Sequence, residues 1–374
     1  MPTGHVGIAV AGTGFGARTV LPAFRAIDGV RLVALCGGAN HSKTRAIAQE
    51  YQIPQVEAEF GDICRRADVD LVAIAAPHEF HRAMVADGLG AQKNILCEKP
   101  LALTTSEIDD LVERSRAAPG LHLMNHQLRF HPAIRATRDA LRAGTLGVPY
   151  QVDIAFQTDR YVAPGFERNA WWFDVQQGGG MLTAMAPHLI DLVQFWFGNS
   201  VRTVHHRAHD VLDQIELREG RRCDVKAESA FHSCLLLDGS VSVSISCTAV
   251  SFRATSLAYS IFGSEGELTF RTPNELTLGS IRDGRVEQTV LFSNRSYDTV
   301  ALGSVFHHAF CLFARDLVNA LQTGDSSPIA DATDFCDYRY KHEVMLALRR
   351  SQIEGAAVDL LTARAMRPAE PRSP

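Results

Sequence analysis

Glu98-Lys99-Pro100 is the triplet best suited to chemistry in this chain, and it closes the apolar run Asn94-Ile95-Leu96-Cys97. A lysine at a strand end supplies a group for proton transfer, because desolvation and a nearby positive charge lower the pKa of an ammonium. The alternative makes Lys99 a structural ion-pair partner of Glu98. Upstream stands Gly12-Thr13-Gly14-Phe15-Gly16-Ala17, following the apolar run Val6–Ala11. In a Gly-x-Gly-x-x-Ala turn between strand and helix, Gly12 permits the tight bend and Gly14 lets a pyrophosphate reach the backbone. Ala17 keeps the helix near the sheet, and the helix N-terminus, with Phe15 and Gly16, faces the phosphates. An incidental glycine-rich loop is the competing reading. A glycine turn and a strand-end lysine together point to hydride chemistry on a dinucleotide rather than to nucleotide binding alone.

The second strand discriminates between cofactors. Sites for NAD place an acid at its end to hold the ribose hydroxyl. Here the chain runs Cys36-Gly37-Gly38-Ala39-Asn40-His41-Ser42-Lys43-Thr44-Arg45, with no acid. Gly37 and Gly38 leave room, and Ser42, Lys43 and Arg45 can neutralise a 2′-phosphate. NADP(H) is therefore expected over NAD(H), against the alternative of ordinary surface cations at a helix start. Ala75-Ala76-Pro77-His78 closes another strand at the carboxyl end, where open α/β sheets bind ligands. Ala76, Pro77 and His81 are expected beside the dinucleotide, a structural role for the histidines being the other possibility.

The elements that must position these residues follow from the pattern. Val6–Ala11, Val30–Cys36, Asp70–Ala76, Asn94–Cys97 and Leu121–Asn125 read as strands. They alternate with helices reaching Phe24 and over Ser42–Tyr51, His81–Leu89 and, capped by Thr104 or Thr105, to Arg116. That alternation predicts a doubly wound parallel sheet. Tyr150–Gln157, Ala230–Leu237, Ser240–Thr248, Ser256–Phe262 and Glu267–Phe270 alternate apolar and polar residues, as an antiparallel sheet with one covered face does. Asp238-Gly239 marks a hairpin. Helices are expected over Pro132–Ala143, Ala184–Phe197, Phe306–Leu321 and Asp334–Glu354. The predicted α/β division is a dinucleotide-binding domain over 1–126, a substrate-binding and oligomerisation domain over 127–367, and a frayed tail over 368–374.

Composition excludes other classes. The 374 residues carry a net charge of −5, and no basic block interrupts them, so nucleic acid is not an expected partner. No apolar run reaches the roughly 20 residues of a membrane span. The start Met1-Pro2-Thr3-Gly4-His5 lacks the basic and apolar regions of a signal peptide. Eight cysteines without a Cys-x-x-Cys pair suit buried free thiols in a cytoplasmic protein and give no zinc motif.

The chain resembles the Gfo/Idh/MocA oxidoreductases, the family of glucose–fructose oxidoreductase and inositol dehydrogenase. The resemblance runs over nearly the whole chain. It includes the glycine turn, Ala76-Pro77 with His81, Glu98-Lys99-Pro100 and Gln127-Leu128-Arg129-Phe130-His131-Pro132. Further on come Gly144-Thr145-Leu146-Gly147, Gly178-Gly179-Gly180, His188-Leu189-Ile190-Asp191 and Gly263-Ser264-Glu265-Gly266. It implies a Rossmann domain followed by an α/β domain whose large, open, mostly antiparallel sheet commonly forms subunit interfaces, hence a homo-oligomer, a dimer or tetramer. It further implies that Lys99 transfers a proton beside the nicotinamide, that Glu98 lies near the cofactor, and that a sugar, polyol or related hydroxy or keto compound is the substrate. Relatives with other roles leave two alternatives: a dehydrogenase of a non-sugar aldehyde or lactol, and a nucleotide-sensing regulator without turnover.

Positions 184, 188 and 191 fall on one helix face. With Thr183 as N-cap, Pro187 is expected in the first turn, where its missing donor costs least. Many family members carry aspartate where this chain has Ala184. His188 is expected to touch the reacting oxygen as donor or relay, the alternative being a packing histidine. Asp191 is either a substrate partner or a structural acid. The segment Trp171-Trp172-Phe173-Asp174 offers Trp172 for stacking on a sugar ring. Arg129, Arg160, Tyr161, Arg168 and Asn169 are further candidates for the substrate mouth, weighed against solvated surface residues.

Overall fold

The computed structural model describes residues 5–163, 170–217, 220–252, 256–271, 275–282, 285–293 and 305–361. Arg168, Asn169 and the 368–374 tail lie outside the described residues. The chain divides into two compact units, Met1–Phe130 with Phe306–Tyr340, and His131–Val305 with Lys341–Pro374.

In the first unit, strands β1 (Val6–Ala11), β2 (Val30–Cys36), β3 (Gln55–Glu57), β4 (Leu71–Ile74), β5 (Asn94–Cys97) and β6 (His122–Met124) form a parallel sheet in the order 6-5-4-1-2-3. Every residue of β1 and β4 is buried, as expected of strands covered on both faces. Helices α1 (Leu21–Arg25), α2 (His41–Glu50), α3 (Phe60–Arg65), α4 (His78–Gly90) and α5 (Thr105–Ala117) link them. Thr104 caps α5 in a full capping box with Glu107. The helical stretch expected from the glycine turn to Phe24 opens as a wide π turn over Gly16–Val20 before α1. Pro22 has no N–H to offer the Arg18 carbonyl, which interrupts the α ladder at that point.

A single cut at 126/127 is not how the compact units divide. The helix Val305–Thr323 returns Phe310, Phe313, Ala314 and Leu317 to a core shared with Phe24, Leu35 and Phe130. The short strand Thr333–Asp334 then pairs antiparallel with β6. Burial of that helix's apolar face draws the segment back to the first unit.

The second unit carries β7 (Pro149–Gln157), β8 (Val201–His209), a two-stranded ribbon of β9 (Gln214–Glu216) and β10 (Arg222–Asp224), and then β11 (Ala230–Leu237) and β12 (Ser242–Thr248). It continues through β13 (Ser256–Gly263), β14 (Gly266–Arg271), β15 (Glu275–Arg282) and β16 (Arg285–Ser293). Nine strands, including the short Val358–Asp359, make one sheet that is antiparallel except where β12 runs parallel to β7. Helices α6 (Pro132–Arg142) and α7 (Met181–Phe197) belong to this unit. The eight cysteines are free, and only Cys36, Cys64, Cys97 and Cys247 are fully buried, with Cys234 exposed on a strand. Among the described residues no helix is long and apolar enough to cross a membrane.

Candidate active site

Strand register places three chain segments side by side at the carboxyl edge of the parallel sheet. Ala11 pairs with Ile74, and Ile74 with Cys97, so Gly12, Ala75 and Glu98 are the next residues on three adjacent strands. Gly12 is required there twice over. Its φ is +114°, and a Cβ at this position would lie 2.1 Å from the Ala75 carbonyl oxygen. Its N–H donates to the Cys36 carbonyl at 2.8 Å, tying the turn to β2. Gly14 is different, since no protein atom lies within 4 Å of where its Cβ would stand. The open space above Gly14 fits a dinucleotide's pyrophosphate. Gly16 is buried, and a Cβ there would press on Val10 at 3.2 Å, so this glycine, not Ala17 alone, sets the close approach of helix to sheet. Phe15 packs edge-on against Phe310, with ring centroids 6.4 Å apart.

At the end of β2 the two glycines also divide in role. A Cβ on Gly37 would collide with Thr44 Oγ1 at 2.0 Å, whereas Gly38 faces open space. Asn40 caps α2 by accepting from the Lys43 N–H at 3.0 Å, and the Ser42 hydroxyl donates to the same Asn40 oxygen at 2.9 Å. Ser42 is therefore part of the cap, while the Lys43 and Arg45 side chains stand exposed. Acids are present at this edge, although the segment 36–45 has none. Burial, then Glu59 and Glu57, push the Cys36 thiol up to about 11. Glu57 reaches the edge because it pairs in register with Cys36 across β2 and β3.

The lysine segment is held on both sides. Ahead of Lys99, the Asn125 amide donates to the Glu98 carboxylate, and the Glu98 N–H donates to the Ile74 carbonyl at 2.8 Å. Burial raises the Glu98 pKa, against the opposing effects of the Asn125 bond and Lys99. Behind Lys99, His81 Nδ1 lies 2.6 Å from the Pro100 carbonyl oxygen and His81 Nε2 lies 2.9 Å from that of Ala76. His81 is fully buried. It was expected beside the dinucleotide, but both ring nitrogens face backbone carbonyls, which leaves no polar atom for a ligand. Pro77 caps α4 without a side-chain bond, and His78 sits edge-on to His81. Burial, then Lys99 and His81, push His78 down to about 3, so its ring is neutral near neutral pH.

Arg129, expected at the substrate mouth, takes part in holding the fold of the first unit. It is buried, donates to the Asp331 carbonyl at 3.2 Å and lies 3.5 Å from the Asp337 carboxylate, binding the returning segment to the end of β6.

In the second unit the triple glycine seats α7. A Cβ on Gly179 would meet the Trp171 and Trp172 carbonyls at 2.4 and 2.5 Å, and Gly180 has φ +93°. Gly180, not Thr183, is the N-cap, so the helix starts at Met181 and Pro187 stands inside it. A glycine cap has no side chain to offer, and Glu228 substitutes for one. Its carboxylate accepts from the Leu182 N–H at 2.8 Å and its backbone carbonyl from the Met181 N–H at 3.0 Å. The Thr183 hydroxyl accepts from Arg349 at 2.8 Å. His188 is buried on this helix. Asp191 forms a buried ion pair with Lys341. Of its two expected roles, the structure therefore supplies the structural one.

Arg160 lies over the Trp172 ring at 5.5 Å, and Trp171 stacks on Trp172. Tyr161 is buried beneath them, its hydroxyl 3.5 Å from the Trp172 carbonyl and its ring edge-on to Phe173. Tyr161 braces the aromatic segment, while Arg160 and Trp172 are half-buried and Trp171 is exposed. Sequence inspection misses Asn125, Glu228 and Lys341 as supports. Asn125 carries a signal, a polar residue at a strand's carboxyl end; the other two act on segments far away in sequence.

A parallel sheet in this order, with a glycine turn and an anchored lysine on its carboxyl edge, defines a dinucleotide-binding oxidoreductase. The chain belongs to the Gfo/Idh/MocA family. Residues 6–126 match the oxidoreductase family, NAD-binding Rossmann fold, and residues 134–269 match the GFO/IDH/MocA C-terminal domain. Oxidoreductase cns1 of Cordyceps militaris is 29% identical over 88% of this chain, which spans only 42% of that relative's length. Glucose-fructose oxidoreductase domain-containing protein 2 of Homo sapiens is 26% identical over 95% of this chain and 94% of its own. Among solved structures, levoglucosan dehydrogenase in complex with NADH and L-sorbose superposes with a TM-score of 0.82. It is 19% identical, with 96% of this chain and 99% of that one covered, a likeness of fold.

Proposed function

We propose that this oxidoreductase moves hydride between a nicotinamide dinucleotide and a sugar, polyol or related hydroxy or keto compound, with Lys99 as the proton-transfer residue. The observation that carries the reading is the register of Gly12, Ala75 and Glu98, which sets Lys99 on the same sheet edge as the glycine turn. The dinucleotide supplies the hydride acceptor or donor. The chain supplies the Gly12–Gly16 cradle for the phosphates and an ammonium at Lys99 to take or return the hydroxyl proton. His188 is the second candidate for the reacting oxygen, and Trp172 with Arg160 for the sugar face. A non-sugar aldehyde or lactol fits the same chemistry.

NADP(H) is the preferred cofactor in this reading, on the exposed Lys43 and Arg45 at the end of β2. Glu57 and Glu59 at that edge argue the other way, so the preference is put directly to measurement. Fluorescence titration with NADPH and NADH decides it, tighter NADH binding overturning the preference. Lys99→Ala is expected to cut turnover about 100-fold or more with dinucleotide affinity kept. The assay runs levoglucosan, aldoses and polyols with both oxidised cofactors, and full turnover by the variant refutes the role of Lys99.

A second reading, a nucleotide-sensing regulator, has one observation in its favour. Position 184 is alanine, and the one acid within α7, Asp191, is committed to Lys341. Dinucleotide binding with no turnover across the panel would favour it. The proposal also includes a cytoplasmic homo-oligomer associating through the nine-stranded sheet. Small residues such as Ala155, Ser244, Ser246 and Ala258 line an open groove of about 410 Å³ there. Light scattering tests the association.

A further inference from the structure

Lys99 is a flexible side chain on a short segment, and a proton-transfer group must be held close to its productive geometry. Two buried side chains from other elements hold its neighbours. Asn125, at the end of β6, fixes Glu98, and His81, one turn into α4, reaches Pro100. His81 is the more informative of the two because it touches two loops at once. Its Nδ1 lies 2.6 Å from the Pro100 carbonyl oxygen and its Nε2 2.9 Å from that of Ala76, with no exposure to solvent, and a neutral ring can donate to only one of them. A neutral imidazole has one N–H, and the shorter contact assigns it to Nδ1, donating to Pro100.

We propose that His81 is a positioning residue that fixes Lys99 through the Pro100 carbonyl. The inference rests on the reading of Lys99 as the proton-transfer group. It explains why a buried histidine stands where an apolar residue would pack without an unsatisfied nitrogen. Pro100 itself has no N–H, so its carbonyl is the backbone polar group by which that residue can be anchored. The titratable groups near Lys99 include Glu98 before it and, from α4, His78 and His81, whose rings burial keeps neutral.

The two histidine nitrogens can be replaced one at a time. The amide nitrogen of asparagine stands near the place of Nδ1, and that of glutamine near the place of Nε2. His81→Asn therefore keeps a donor for Pro100, and His81→Gln keeps one only for Ala76. The test measures acetylation of Lys99 by acetic anhydride in the intact protein, by mass spectrometry. Lys93 is the internal reference, anchored elsewhere by the Arg66 and Val69 carbonyls. With NADH absent, the His81→Gln variant is expected to change the Lys99 rate about fivefold or more, and the His81→Asn variant to stay within about twofold of the parent. Unchanged Lys99 rates in both variants, or equal changes in both, overturn the proposal. So does a change that Lys93 shares, because it would report general loosening. The labelling needs no substrate, so it fails separately from the turnover test of Lys99→Ala.

Discussion

Lys341 places its ammonium nitrogen 3.0 Å from a carboxylate oxygen of Asp191, and the two side chains are 0% and 1% exposed. The same ammonium donates to the Gln194 amide oxygen, one helical turn further along α7, and Gln194 in turn donates to Asn199 at 2.6 Å. Two buried charges are costly to desolvate, so each depends on the other. Removing one leaves an uncompensated charge. Asp191→Asn or Lys341→Met alone is expected to cost about 3–5 kcal/mol, and Asp191→Leu with Lys341→Met together much less than the sum. Urea unfolding of the three variants measures this. A single variant with the parent's midpoint would show that the pair carries no such weight.

The glycine turn separates a requirement of the fold from a requirement of the ligand. Gly12→Ala introduces a Cβ 2.1 Å from the Ala75 oxygen at a φ of +114°, so it must distort the junction of β1 and β4. Gly14→Ala meets nothing. Gly12→Ala is therefore expected to lower the melting temperature by about 5 °C or more, and Gly14→Ala to leave it within about 2 °C. If the space over Gly14 takes the pyrophosphate, Gly14→Ala still weakens NADH or NADPH binding, by about tenfold or more. Unchanged affinity would remove Gly14 from the cofactor cradle.

Glu228 supplies the cap that Gly180 lacks. Glu228→Ala strands the Leu182 N–H at the start of α7, and its expected cost is about 1–2 kcal/mol, the usual value of a lost helix cap. Glu228→Gln keeps an acceptor and is expected to recover most of that. Thermal unfolding of the two variants decides, and equal losses would point to the charge rather than the bond.

The sequence patterns and the structure agree where a local signal suffices. Val30–Cys36, Asn94–Cys97 and Ala230–Leu237 are strands with the predicted bounds, because continuous or alternating apolar runs report burial directly. Asp238-Gly239 does separate two antiparallel neighbours, with Gly239 at φ +78°. β8 escapes notice because its interior reads Val-His-His-Arg, and β16 because none of its described side chains is buried, so no alternation marks it. Non-local supports are not legible for a different reason. Nothing near Lys341 announces an acid 150 positions earlier, nor does Glu228 resemble a cap when the helix it caps begins 47 residues before it. The return of Phe310 and Phe313 to the first unit is a matter of which core offers room, which a pattern of apolar residues does not specify.

His206 is expected to set a pH dependence of stability that is separate from catalysis. The ring is fully buried in β8, with Nδ1 2.8 Å from the Ser233 hydroxyl, and its Nε2 has no hydrogen-bond partner among the described residues. Burial, then the positive charge of Arg349, push its pKa down from 6.5 to about 4, with smaller contributions from His205, Arg207 and His209 on the same strand. Between those values the unfolded chain binds the proton and the folded chain does not. Stability from this group is thus complete above 6.5, is lost as pH falls toward 4, and changes no further below that. The slope within the window is at most about 1.4 kcal/mol per pH unit. His206→Gln, which cannot titrate, is expected to lose less stability than the parent between pH 7 and pH 5, by roughly 2 kcal/mol. Urea unfolding at the two pH values reads the difference directly, and parallel losses in both proteins would show that His206 is not the group responsible.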